Sequence, residues 1–102
     1  MSKRTLTFED LDAWKLARGV TRAIYGFRSL DSIARDYGLR DQAQRAGVSV
    51  MSNIAEGFER HHIPEKLQFY NVARASVAEV RSLSYVIEDN FPELAEEACR
   101  LR

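Results

Sequence analysis

The chain has one cysteine, Cys99, in 102 residues. A lone cysteine excludes an intramolecular disulfide and fits a reducing cytosol. Long hydrophobic runs are also missing: none approaches the roughly 20 apolar residues that cross a bilayer. Residues 1–7 carry Lys3 and Arg4 but lack the apolar stretch of a signal peptide, so the sequence predicts a cytoplasmic protein. Charge of one sign is absent as well. Fifteen Lys and Arg balance fifteen Asp and Glu, for a formal net charge of zero. A dedicated nucleic-acid binder is plainly basic, and this chain as a whole is not. There is no glycine-rich phosphate loop, no zinc-ligand spacing and no nucleophile elbow, and no strand pattern or internal repeat.

Helical periodicity runs through nearly all of the sequence. After a polar leader over residues 1–7, Thr7 is a plausible N-cap, with Asp10 placed to complete a capping box. The first helix is predicted over about 8–28. Ala13, Leu16, Ala17, Val20, Ala23, Ile24 and Phe27 share one side, and Lys15, Arg18 and Arg22 line the other. Residues 29–36 read as a connection. A second helix is predicted over about 37–58, ended by Gly57 and the following Pro64. A third spans about 64–90 and opens on Pro64. Its broad apolar face includes Phe69, Tyr70, Ala73, Val77, Val80, Leu83 and Ile87. A last segment of about three turns covers 92–101, with Leu94, Ala98 and Leu101 on one side. The expected fold is therefore all-α: a single domain over 1–102, an antiparallel up-down four-helix bundle with a short fourth helix.

The second helix is the most unusual. Gln42, Arg45, Ser49, Ser52, Asn53 and Glu56 fall within about one third of its circumference at about 100° per residue. Leu39, Ala43, Ala46, Val50, Ile54 and Gly57 form the adjoining apolar stripe. Val48, Met51, Ala55 and Phe58 make a second patch, roughly opposite the polar line. Such a helix is expected to be buried from two sides, by its own bundle and by a neighbour.

With Leu39, Gln42, Arg45, Ala46 and Ser49 followed by Ser52-Asn53-Ile54-Ala55-Glu56-Gly57, the chain resembles the four-helix-bundle proteins of intervening sequences in bacterial 23S rRNA genes. The accessory proteins of diversity-generating retroelements are similar. Phe8-Glu9-Asp10-Leu11 with Trp14 and Ala17, Tyr37-Gly38-Leu39, and Phe69 to Ser76 with Glu79 match the same pattern, so the resemblance covers roughly residues 8–88. Ala75 stands where the family usually has glycine, and the last helix is shorter than in most members. The resemblance implies a bundle assembling as a ring, typically a homopentamer, with no enzymatic activity and no cofactor. Nucleic-acid binding belongs to the retroelement branch, whose members are markedly basic.

Three groups of residues are candidates for function. Gln42, Arg45, Ser49, Asn53 and Glu56 are expected to meet Arg74, Ser76 and Glu79 in a polar network that fixes helix register. That reading is preferred to a catalytic Glu56–Glu79 pair, which would need a pocket and further acid–base groups. Val48, Met51, Ala55 and Phe58, with Leu67, Ala78 and Tyr85 on the third helix, are candidates for a subunit interface. Lys3, Arg4, Lys15, Arg18 and Arg22 form a basic stripe that repetition around a ring would turn into a weak site for RNA or DNA. Glu59-Arg60-His61-His62 supplies one Glu-x-x-His, whereas di-iron bundles use two with further glutamates, so no metal site is expected. Residues 1–102 thus read as a self-assembling adaptor module, with a nucleic-acid-associated accessory protein as the alternative.

Overall fold

A computed structural model describes residues 7–27 and 31–102. They form five α-helices and no strand: α1 (Asp12–Gly26), α2 (Asp31–Ala34), α3 (Tyr37–Glu59), α4 (Ile63–Asn90) and α5 (Ala95–Cys99). Single 3-10 turns at Phe8–Asp10 and Pro92–Leu94 precede α1 and α5. The all-α bundle predicted from periodicity is the architecture observed. No helix among the described residues is long and apolar enough to cross a membrane.

Element boundaries follow local chemistry. The Thr7 backbone N–H and hydroxyl both donate to Asp10 Oδ2, at 3.0 and 3.3 Å. That box closes only one turn, because Leu11 is extended (φ −74°, ψ 128°); the first helix therefore starts at Asp12 rather than at Phe8. The connection expected over 29–36 contains α2, whose Ile33 is 2 % exposed and joins the core. Asp36 caps α3 by accepting the Leu39 N–H at 3.1 Å. At the other end of α3, Lys66 Nζ donates to the carbonyls of Gly57 (3.1 Å) and Phe58 (2.8 Å). A cation there satisfies orphan carbonyls and complements the helix dipole.

The core joins Ile24 of α1 and its C-cap Phe27, Ala43 and Ala46 of α3, and Val80, Leu83 and Ile87 of α4 with Leu94, Ala98 and Leu101. Helix α3 is the centre. It packs along α4 on one side and along α1 on the other, while α5 packs on α4. Close approach on both sides uses glycine. A Cβ at Gly57 would lie 2.6 Å from Tyr70 Cε1, and one at Gly47 would lie 2.9 Å from Thr21 Oγ1. The Thr21 hydroxyl meanwhile donates to the Ala17 carbonyl at 2.8 Å, so its burial leaves no donor unpaired.

Candidate assembly surfaces

The polar line of α3 meets α4 through a small set of bonds. Ser49 Oγ and Ser76 Oγ are 2.7 Å apart, and Asn53 Nδ2 donates to the carbonyl and hydroxyl oxygens of Ser49 at 2.8 and 3.1 Å. Gln42 Nε2 donates to Glu79 Oε2 at 3.3 Å nearer the surface. Three residues expected in this network lie outside it. Arg45 pairs with Asp41 at 3.0 Å, one turn away on α3, with both side chains largely in water. Glu56 and Arg74 are exposed and make no ion pair with any described residue. The separation has a simple cause. Only the edge of the polar line nearest α4 is within reach of it, and long charged side chains on the remainder gain more from hydration than from burial. No buried side-chain polar atom among the described residues is left without a partner.

The second apolar patch of α3 is divided by the period of the helix. Gly47 touches α1, and Met51, Ile54 and Phe58 follow it at four, seven and eleven residues, on the same side. Met51 and Phe58 are accordingly half-buried within one subunit, and so is Ala55. Val48 is exposed. It precedes Gly57, which touches α4, by nine residues or two and a half turns, and so is turned away from α4. On α4 the same spacing separates Ser76, which meets α3, from both Leu67 and Tyr85. Those two are 56 % and 51 % exposed, and exposed Ala78 falls between them on the same line.

Between α1 and α4 the bundle is open. Leu16 and Val77, both expected in the core, are 72 % and 44 % exposed. They border an apolar trough of about 290 Å³, floored by Gly47, Val50 and Ile54 of α3. A helix in the fourth position would cover them, and α5 reaches only one end, where Leu101 borders the trough.

The basic stripe is on the outer face of α1. Lys15, Arg18 and Arg22 surround Gly19 in a shallow depression, exposed and with no carboxylate of the described residues at ion-pair distance. Arg18 lies 5.8 Å over the Trp14 ring, which packs edge-on to Phe8. Lys3 and Arg4 fall outside the described residues. His61 and His62 are exposed at the start of α4, and no described group of three His, Cys, Asp or Glu is placed to hold a metal.

A family model described as the 23S rRNA-intervening sequence protein matches residues 9–96, which include every element named here except the first residue of the opening turn and the end of α5. The chain belongs to that family. No curated protein and no solved structure matches it. Membership among the 23S rRNA-intervening sequence proteins places it with small proteins not known for enzymatic activity. The Asn53-Ile54-Ala55-Glu56-Gly57 run that carried the resemblance serves two jobs in this member. Asn53 braces Ser49 for its bond to α4, and Gly57 lets α4 approach. Nothing in the sequence marks Ile33 as core, because α2 is only four residues long, too short for a helical period to show.

Proposed function

We propose that this protein is a non-catalytic module that associates with copies of itself head to tail, closing a ring, and acts as an assembly scaffold or adaptor. The observation that carries the reading is apolar surface on two different sides of one subunit: exposed Val48 beside half-buried Met51, Ala55 and Phe58 on α3, and exposed Leu67, Ala78 and Tyr85 on α4. Two different patches on two sides of one subunit favour a heterologous contact, which generates a ring when the rotation closes. Five subunits is the count implied by the resemblance to the family. The half-buried Met51, Ala55 and Phe58 border this contact on the α3 side and add area once a neighbour is seated.

Light scattering across a concentration series tests the reading. Five chains of 11.7 kDa give about 58 kDa. Leu67→Glu and Val48→Glu, both at exposed positions, should each reduce the mass to that of one chain while helicity is kept. A wild-type protein that remains at 11.7 kDa at high concentration refutes it.

A second reading has its own support in the unpaired Lys15, Arg18 and Arg22, which a ring would repeat around its circumference. Weak, salt-sensitive binding of generic RNA or DNA is then expected. Absence of binding at low salt removes it.

A further inference from the structure

Each of the two exposed apolar patches is bordered by charge, and the two borders differ in sign. On one side of the subunit, Val48 of α3 and Tyr25 of α1 line a common groove. Tyr25 follows Arg18 and Arg22 by seven and three residues and so shares their face of α1. From 13 to 27 the charged residues are Lys15, Arg18 and Arg22, with no carboxylate among them. On the other side, Tyr85 of α4 precedes Asp89 by four residues, one turn along the same face. Asp89 belongs to a stretch, 88–97, that holds five carboxylates and no Lys or Arg.

Pairing within the subunit leaves three charges of each sign unanswered. Arg102 takes Glu88 at 3.0 Å, and Arg100 takes Glu96 at 2.8 Å. Asp89, Glu93 and Glu97 are exposed and form no ion pair with a described residue. Glu93 is bonded to the Ser32 hydroxyl rather than to a cation. Lys15, Arg18 and Arg22 are exposed and unpaired around Gly19, with Arg18 steadied over the Trp14 ring. Arg74 and Arg81 are exposed too, but they share α4 with Glu65 and Glu79 and build no comparable excess. The arrangement selects a polarity of contact. Two copies meeting through their α1 sides would bring cations against cations, and two meeting through their α4 sides would bring carboxylates against carboxylates; like charges disfavour both. A head-to-tail contact brings opposite signs together.

We infer that the basic face of α1 is the docking surface for the acidic stretch of a second copy of this chain. Lys15, Arg18 and Arg22 of one copy meet Asp89, Glu93 and Glu97 of the next, bordering the apolar contact that Tyr25 and Val48 make beside them. This rests on the self-association proposed above and adds the groups that fix which way each copy faces. The same cations carry the nucleic-acid reading, so the experiment must tell a second copy from a polyanion.

Charge reversals in the full chain test this, read by light scattering across a concentration series at low salt. They spare Arg18 and Glu93, whose contacts lie within the subunit. K15E/R22E and D89K/E97K should each raise the protein concentration at half-assembly about tenfold or more. The quadruple variant K15E/R22E/D89K/E97K, with the two signs exchanged, should return to within about threefold of wild type. Circular dichroism confirms that every variant keeps its helicity. Double variants that assemble like wild type, or a quadruple variant no stronger than the doubles, overturn the inference and leave self-association standing. If K15E/R22E keeps its mass but loses salt-sensitive binding of generic RNA, the cations serve a polyanion, which also overturns it. A wild type that stays a single chain at every concentration refutes the self-association reading itself, and this inference with it.

Discussion

Replacing Gly57 by alanine puts the central helix interface under a direct test. In an open helix the change is favourable, because alanine exceeds glycine in helix propensity by about 0.8–1 kcal/mol. At Gly57 the new Cβ would lie 2.6 and 2.8 Å from Tyr70 Cε1 and Cδ1, and 3.2 Å from Phe69 Cβ. The Tyr70 ring is half-buried and can turn part of the way, but Phe69 Cβ is fixed to the α4 backbone. The two helices must therefore separate by some tenths of an ångström, loosening contacts along their length. Overpacking of this kind costs roughly 1–3 kcal/mol, enough to cancel or outweigh the propensity gain. A net loss of up to about 2 kcal/mol is expected, or up to about 15 °C in Tm for a domain of this size. Gly19 supplies the control, since nothing lies within 4 Å of its added Cβ. Gly19→Ala should raise the Tm by a few degrees. Urea and thermal unfolding of both variants should be compared at one protein concentration, because self-association would shift the apparent stability. Two variants that move the Tm in the same direction would refute the close-approach argument.

Three further outcomes follow from the same packing. Ser76→Ala should cost about 1 kcal/mol by leaving the Ser49 hydroxyl without its α4 partner, and adding Ser49→Ala should cost less than the sum of the single changes; additive losses in a double-mutant cycle would deny the coupling. The Ser32 hydroxyl, donating to Glu93 Oε1 at 2.6 Å, holds the Glu93 carboxyl below its ordinary value of 4.5, aided by a backbone hydrogen bond. A depressed carboxyl stabilises the fold above its unfolded pKa, and the gain is lost as pH falls through the folded value. Ser32→Ala should thus be less stable than wild type near neutrality and converge with it in acid, and an NMR titration of Glu93 that is unchanged by the substitution would contradict this. In hydrogen exchange, the middles of α3 and α4 should be the slowest amides, ahead of α1, which rests on α3 beside an open trough; equal protection in α1 would show the trough to be covered in solution.

Much of this fold was legible in the sequence because three helices carry strong periodic patterns and two prolines mark where helices begin. Ala17, Ile24, Ala43, Val50, Ala73, Val80 and Ile87 all lie on predicted apolar stripes and are buried. Leu16 and Val77 lie on the same stripes and are not. Periodicity reports which side of a helix is apolar, but the presence of a neighbour to cover it depends on the length of another element, here α5. The candidate network was legible in part for a related reason. Short polar side chains such as Ser49 and Ser76 can bond only across a close interface, so their partners are set by helix position. Arg45 and Arg74 have reach and several ways to be satisfied in water, and the nearest carboxylate on its own helix was enough for Arg45.

The neutrality of the chain conceals an uneven distribution. From Ala13 to Phe27 the only charges are Lys15, Arg18 and Arg22, while from Ser82 to Cys99 they are Glu88, Asp89, Glu93, Glu96 and Glu97. Part of the acidic end is offset locally. Arg102 bonds Glu88 at 3.0 Å and lies 3.9 Å over the Tyr85 ring, and Arg100 pairs with Glu96 at 2.8 Å. No carboxylate among the described residues reaches the α1 cations. Exposed ion pairs add little to stability, so the fold gives no reason for α1 to keep its charges apart from carboxylates. In an assembly, charge of this kind steers encounter and sets orientation before apolar contact is made. In the proposed self-association, Val48, Leu67 and Tyr85 would supply the area to be buried, and the charge asymmetry between α1 and the C-terminal end would orient an incoming copy.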